Sequence, residues 1–375
     1  MIQPGNRKRA GAAAKSPASR WLLATLAVVL VVAAGVYALV SRGGGSNETA
    51  APPPPPTIPG ESTPPASCAP TDKLVPPCGA WWGMHVPVSS DAELVSGVEG
   101  IEKQIGRKLD VTISYHDMSD SEAGRFFRDG EVALSSDRIT FLGWESSIWS
   151  DNLDIPWREI AAGYYDQAIT DQATRVKEYG KPVLVGFDGE KDRDETGQDP
   201  KDYIAAYKRI VDGFRREGAT NAVWVWGVTG YYPFRDRWKA YYPGDEYVDW
   251  ISYDPYNFAS CRNASWQNFE ETVRPTYDWF QENGFAGKPM MLAEYGTESD
   301  KGDSSARADW YRDIPNVAKT MPNLKAFIQW NNVDGDSCDF RLTGSGVMEA
   351  FAEAGRDPYF KQPGAAQGDA AQATG

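Results

Sequence analysis

Apolar runs alternate with amphipathic stretches along the chain from Gly79 to Asp357. Runs such as 183–187 and 290–293 contain no polar residue, the pattern of strands that are covered on both faces in a parallel sheet. Eight candidate strands follow from this pattern, at 80–86, 110–115, 139–144, 182–187, 222–226, 248–253, 289–294 and 324–330. Eight strands that alternate with helices predict an α/β fold, a (β/α)8 TIM barrel over 78–361.

Amphipathic periodicity supports the helices between these strands. In 201–217, apolar residues at 204, 207, 211 and 214 lie on one face, and Gly218 follows as a stop signal. The stretch 266–283 ends before Gly284 in the same way.

A different pattern occupies the N-terminal part of the chain. Residues 21–40 are uncharged and long enough to span a bilayer, and the basic segment 1–20 before them predicts a cytoplasmic N-terminus. We expect a single-pass cell-membrane protein whose barrel lies outside the cell. The alternative is a signal peptide that is cleaved to give a secreted protein.

Two segments are predicted to lack a folded core. Residues 41–77 are rich in Pro, Gly and Ser, with an unbroken proline run at 52–56, and read as an extended linker. The Ala-, Gly- and Gln-rich tail 362–375 is predicted to be disordered.

All four cysteines follow the apolar segment, so they lie in the part predicted to be exported. An even number of cysteines there favours two disulfides, and we expect Cys68 to pair with Cys78 and Cys261 with Cys338. Free thiols or a metal site are the alternatives, but no Cys-x-x-Cys or paired Cys and His spacing supports a metal.

The composition indicates which classes of binding partner fit the barrel. The 375-residue chain carries a formal net charge of −14, which argues against nucleic acid or an anionic membrane surface as a partner of the barrel. Its 14 tryptophans suggest stacking on the apolar faces of sugars, although a large barrel core also uses tryptophan. No cofactor or metal is implied, and we expect a monomer.

Two glutamates stand at or just after the ends of predicted strands. Glu190 follows the fourth strand, and Glu294 ends the seventh. Parallel barrel strands deliver side chains from their carboxyl ends into one cleft, so both glutamates are expected to converge there. Two converging carboxylates, one protonated and one ionised, are the machinery of glycoside hydrolysis.

Several stretches resemble glycoside hydrolase family 26. They are GFDGEKDR at 186–193, YIAAYKRIVDGF at 203–214, GATNAVWVW at 218–226, YYPGDEYVDW at 241–250 and KPMMLAEYG at 288–296. The resemblance implies a retaining β-mannanase-like or β-glucanase-like enzyme on this barrel. It also implies that Glu190 is the acid/base and Glu294 the nucleophile.

The sequence departs from the family pattern around the fourth strand. Gly189 stands where the family has a histidine, Asp192 where it has an asparagine, and Gly186 where it has an arginine. These neighbours normally orient the carboxylates, so a barrel that binds glycan without efficient turnover is the alternative function.

Aromatic and histidine residues near strand ends are candidates for substrate binding, with a structural role in the barrel as the alternative for the tryptophans, the tyrosine and the histidines. They are His85, His116, Trp144, Phe187, Trp226, Tyr256 and Trp330. Tyr256 is expected to hold Glu294 ionised through its hydroxyl. The resulting hypothesis is a membrane-tethered hydrolase of a β-linked polysaccharide.

Overall fold

The computed structural model describes residues 70–193, 197–299, 303, 305–334 and 338–360. The basic segment 1–20, the predicted span 21–40, most of the linker and the tail 362–375 lie outside these ranges, so they remain predictions. Within the described ranges, no helix has both the length and the apolar character needed to cross a bilayer.

Eight parallel strands close into a barrel, as the sequence predicted. They are β1 Trp81–His85, β2 Val111–His116, β3 Ile139–Trp144, β4 Val183–Phe187, β5 Ala222–Val228, β6 Trp250–Tyr253, β7 Met290–Leu292 and β8 Leu324–Trp330. Each strand pairs with the next along the chain, and β8 pairs with β1 so that His85 lies opposite Trp330. Strand β7 ends two residues before Glu294, earlier than predicted.

Helices surround the barrel. The α-helices are α1 Leu94–Ile105, α2 Asp129–Leu134, α3 Trp157–Ala162, α4 Asp166–Tyr179, α5 Pro200–Glu217, α6 Arg235–Trp238, α7 Phe269–Phe280, α8 Ala306–Arg312, α9 Ile314–Ala318 and α10 Val347–Gly355. Short 3-10 turns lie at Asp91–Glu93, Trp149–Asp151, Tyr232–Phe234, Lys239–Tyr241, Asp245–Tyr247 and Pro358–Phe360, and a π-turn, Gln281–Phe285, continues α7.

Helix α5 begins and ends at residues that favour helix termini. The Asp199 side chain caps its N-terminus by accepting a hydrogen bond from the Lys201 amide at 2.9 Å, and Pro200 occupies the first turn. Gly218 ends the helix with a φ of 78°, a left-handed conformation that glycine adopts without strain.

The hydrophobic core has two layers because both faces of each strand are covered. An inner layer fills the barrel and contains Trp81, Phe141, Trp250 and Ile328. A larger outer layer lies between the strands and the helices. Alternate residues of a strand enter opposite layers, and this alternation decides which strand-terminal residues reach the cleft.

Part of the predicted linker packs against the barrel. Leu74 is buried in the inner layer, and its carbonyl accepts a 2.7 Å hydrogen bond from the indole of Trp81. The Trp250 indole donates at 2.7 Å to the carbonyl of Lys73. The contacts of the barrel therefore begin before Cys78.

The predicted disulfide between Cys261 and Cys338 is confirmed, with a Cα–Cα distance of 5.3 Å. It joins the loops that follow β6 and β8. Cys78 is also disulfide-bonded, and its predicted partner Cys68 lies outside the described residues.

Candidate active site

Glu294 lies at the carboxyl end of the barrel and is held by three residues, one from β2 and two from the segment after β6. The hydroxyl of Tyr256 donates to its Oε2 at 2.7 Å, and the hydroxyl of Tyr115 donates to its Oε1. Its backbone N–H donates to Oδ1 of Asp254 at 3.1 Å. Both carboxylate oxygens therefore have a fixed donor, and the orientation of the carboxylate is defined.

The environment of Glu294 favours a bound proton. Burial, then the negative charge of Glu190, raises the pKa of Glu294 to about 7, although the hydrogen bonds from Tyr115 and Tyr256 act in the opposite direction. Burial and the charges of Glu294 and Glu190 raise the pKa of Asp254 well above its usual range. These effects show that the three carboxyl groups share one electrostatic environment.

Glu190 occupies the turn after β4 with a side chain that is 33% exposed. Burial raises its pKa, and the nearby Arg193 guanidinium opposes that rise. Arg193 donates to Oε2 of Glu190 at 2.5 Å. The glutamate is thus partly accessible to solvent, but a salt bridge stabilises its ionised form.

Two aspartates fix the loop that carries Glu190. Asp188, with a φ of 44°, accepts hydrogen bonds from the amide and hydroxyl of Ser146 and from the indole of Trp157. Asp192 accepts from the Thr229 amide at 2.8 Å, from the Thr229 hydroxyl and from the Trp238 indole. Because each carboxylate satisfies three donors, the loop geometry is tightly defined.

The two charged residues that follow Glu190 are buried. Asp192 is fully buried, and Lys191 is nearly so. The Lys191 ammonium lies 4.2 Å from the ring centre of Trp226 and 5.0 Å from that of Tyr203. Burial lowers the pKa of Lys191 to about 7.

Two of the predicted substrate-binding aromatics lie beside this site together with Tyr256. His85 stacks on Trp330, with ring centres 4.2 Å apart and planes inclined by 14°. Both rings meet Tyr115 edge-on. Burial lowers the pKa of His85 to about 4, so the imidazole is neutral at ordinary pH.

Four other residues that were predicted to bind substrate face away from the cleft, so the prediction is wrong for them. Trp144, Phe187 and Trp226 belong to the outer core layer and are at most 1% exposed. His116 is fully buried, 3.2 Å from a carboxylate oxygen of Glu131 on α2. Successive side chains of a strand point to opposite faces, and each of these four residues lies next to an inward-facing residue. Their side chains therefore point outward.

Three residues of the site were not predicted from the sequence. Tyr115 is the penultimate residue of β2, Glu145 follows β3 directly, and Asp254 follows β6 directly. Burial raises the pKa of Glu145 to about 7, with smaller effects from neighbouring carboxylates including Glu190. The rule that singled out Glu190 and Glu294, a polar group at the end of a buried strand, applies equally to these three.

The described residues were compared with the geometry that a metal ion requires. One group of potential ligands is close enough together there, Cys261, Glu298 and Cys338. Its two sulfur atoms are joined in the disulfide, so neither is available as a thiolate.

The site thus combines a closed (β/α)8 barrel with two glutamates after its strands, of which Glu294 is oriented by two tyrosines. This arrangement is typical of the barrel glycosyl hydrolases. The model of glycosyl hydrolase family 26 matches residues 162–324. The match confirms the sequence resemblance to this family over these residues.

Individual relatives are distant. Endoglucanase H of Acetivibrio thermocellus is 27% identical over 300 residues, 74% of this chain and 30% of that protein. Beta-1,3-xylanase TXYA of a Vibrio species is 21% identical over 201 residues, 48% of this chain and 42% of that protein. The chain thus spans less than half the length of either relative.

A solved structure shares the fold. The family 26 domain of an endo-beta-mannanase/endo-beta-glucanase from Prevotella bryantii aligns with a TM-score of 0.53 and 14% identity, over 77% of this chain and 92% of that one.

Proposed function

We propose that the protein is a retaining glycosyl hydrolase that cleaves a β-linked polysaccharide of the β-mannan or β-glucan type outside the cytoplasm. The observation that carries this proposal is the pairing of Glu190 and Glu294. They follow different strands, β4 and β7, yet the charge of Glu190 is the largest charge effect on the pKa of Glu294. The match to the family model and the activities for which the relatives are named support the substrate class.

The proposed reaction is a double displacement. Protonated Glu190 gives its proton to the glycosidic oxygen while the Glu294 carboxylate attacks the anomeric carbon, so the bond to the leaving sugar breaks and a glycosyl ester forms. Glu190, now ionised, then takes a proton from water, and the resulting attack on the anomeric carbon releases Glu294. Tyr115 and Tyr256 stabilise the ionised Glu294 that begins the cycle.

The extracytoplasmic location rests on separate observations. The sequence has a basic segment followed by an apolar stretch of spanning length, and the described residues contain a disulfide. A tethered enzyme of this kind would reach polysaccharide at the cell surface, including a polymer of the cell's own wall. The acidic composition disfavours nucleic acid, and the proposed unit is a monomer.

The test is reducing-sugar release by the full chain from β-mannan, mixed-linkage β-glucan and β-xylan. Glu190→Gln and Glu294→Gln should each abolish release, whereas Glu178→Gln, an exposed glutamate of α4, should leave it unchanged. Release that persists in both site variants would refute the assigned pair. No release from any polymer by the unaltered chain would refute the hydrolase for this panel.

A specific observation favours a second candidate, a barrel that binds glycan without cutting it. The Arg193 salt bridge stabilises ionised Glu190, whereas catalysis requires a protonated acid. Under this alternative, one of the polymers binds the unaltered chain and both glutamine variants equally well while none is cut. Affinity electrophoresis in gels that contain each polymer measures this binding.

A further inference from the structure

The third strand places a carboxyl group in the cleft that the proposed reaction does not use. Gly143 faces the ring of Tyr115, since a Cβ built on Gly143 would lie 2.8 Å from that ring. Glu145 lies two residues further along the chain, on the same side of the strand. Its amide donates to the carbonyl of His116 at 2.8 Å, which continues the pairing of β3 with β2.

One oxygen of Glu145 is held and the other is open. The indole N–H of Trp149 donates to Oε2 at 3.0 Å. No described residue donates a hydrogen bond to Oε1, and none forms a salt bridge with this carboxyl group. The side chain is partly exposed. A half-buried carboxyl group with a free oxygen has unused capacity to bind a hydroxyl group.

Electrostatics indicate that Glu145 faces the same space as the catalytic pair. Its charge raises the pKa of Glu294 and of Tyr115, and the charge of Glu190 in turn raises the pKa of Glu145. The carboxyl group therefore lies near the position of the reacting sugar.

Trp149, which holds Glu145, is itself held in place and partly exposed. Its amide donates to Oδ2 of Asp117 at 2.8 Å, and its ring is half-buried with no other aromatic ring packed on it among the described residues. A short antiparallel pair, Ser147–Ile148 with Leu153–Asp154, encloses it. The ring thus has a fixed place and a partly open surface.

The loop that carries both residues is tied to the loop of Glu190. Ser146, between Glu145 and this short strand pair, donates twice to Asp188, two residues before Glu190. The position of Glu145 is therefore fixed relative to the proposed acid/base.

We propose that Glu145 and Trp149 form a sugar-binding subsite beside Glu190, in which the carboxyl group binds hydroxyls of a neutral sugar unit and the indole ring packs against the sugar face. This inference rests on the proposed function and narrows it. Several carboxyl groups already share the cleft, so a sugar that carries its own carboxylate meets like charge there. The subsite selects uncharged sugars over uronic acids.

The experiment measures kcat and KM of the full chain on the neutral polymer that it cleaves and on a uronic acid-containing polymer of the same backbone. Glu145→Ala should lower kcat/KM on the neutral polymer roughly tenfold or more, mainly through KM, because a hydrogen bond to a charged group is lost. Trp149→Ala should act in the same direction. Ser150→Ala, an exposed change on the same loop, should have no effect.

Glu145→Gln separates charge from shape, since the amide oxygen still accepts from Trp149. This variant should narrow the preference for neutral over uronic polymer several-fold. A KM and a preference within twofold of the unaltered chain in both Glu145 variants overturn the subsite. So does a loss of activity that follows a lowered melting temperature and leaves KM unchanged.

Binding distinguishes failure of the subsite from failure of the hydrolase. If the unaltered chain binds a neutral polymer without cutting it, the hydrolase proposal fails, while weaker binding by Glu145→Ala still supports the subsite. If polymer binding is the same in both proteins, the subsite fails. If the unaltered chain neither binds nor cuts any polymer, both proposals fail.

Discussion

The hydroxyl of Tyr256 donates a 2.7 Å hydrogen bond to Oε2 of Glu294, from a residue that follows β6 to one that follows β7. This contact stabilises ionised Glu294 against burial and against the charge of Glu190, which together raise its pKa to about 7. The two residues follow adjacent strands, and the parallel pairing of β6 with β7 brings them together.

Tyr256→Phe should therefore raise the pKa of Glu294 further. The proposed nucleophile must be ionised, so the acidic limb of the pH–activity profile should move to higher pH, by roughly one unit. Tyr242→Phe is the matched control because it removes a tyrosine hydrogen bond to another carboxylate, Asp245, away from the cleft. An acidic limb that stays in place would argue against this role of Tyr256.

Arg193→Gln should act on the opposite limb. Removal of the guanidinium raises the pKa of Glu190, so the proposed acid keeps its proton to higher pH and the basic limb of activity moves upward. Arg215→Gln, which removes an exposed salt bridge with Asp212, is the control. An unchanged basic limb would mean that the salt bridge is open in the working enzyme or that Glu190 is not the acid.

The disulfide between Cys261 and Cys338 should stabilise the fold. It closes a long loop, with a sequence separation of 77 residues. Replacing both cysteines by serine should lower the free energy of unfolding by about 2–4 kcal/mol. Thermal denaturation of the full chain measures this change, and an unaltered melting temperature would show that the loops are held by their other contacts.

Trp330→Ala should weaken polysaccharide binding. Trp330 is half-buried beside Tyr115 and stacks on His85, a position from which the ring can pack against a sugar bound at Glu294. We expect KM for the cleaved polymer to rise roughly five- to tenfold. Tyr164→Ala, at a side chain that is 79% exposed on the α3–α4 connection, should leave KM unchanged. Equal KM values in the two variants would contradict a role of Trp330 in sugar binding.

The sequence alone determined the eight strands, the main helices and the positions of Glu190 and Glu294 at strand ends. Each of these depends on local patterns: continuous apolar runs, a 3.6-residue period bounded by capping residues, and an acidic residue soon after a run. The Cys261–Cys338 pairing was also predicted, from the even number of cysteines in the part expected to be exported.

Only the tertiary structure decided which strand-terminal residues face the cleft. Trp144 and Glu145 are neighbours in sequence, as are His116 and Tyr115, yet one member of each pair is in the outer core and the other is in the site. Successive side chains of a strand alternate between its faces, and this period is fixed by the backbone. Both faces are apolar in a closed parallel barrel, so the sequence pattern does not reveal which alternate set points inward.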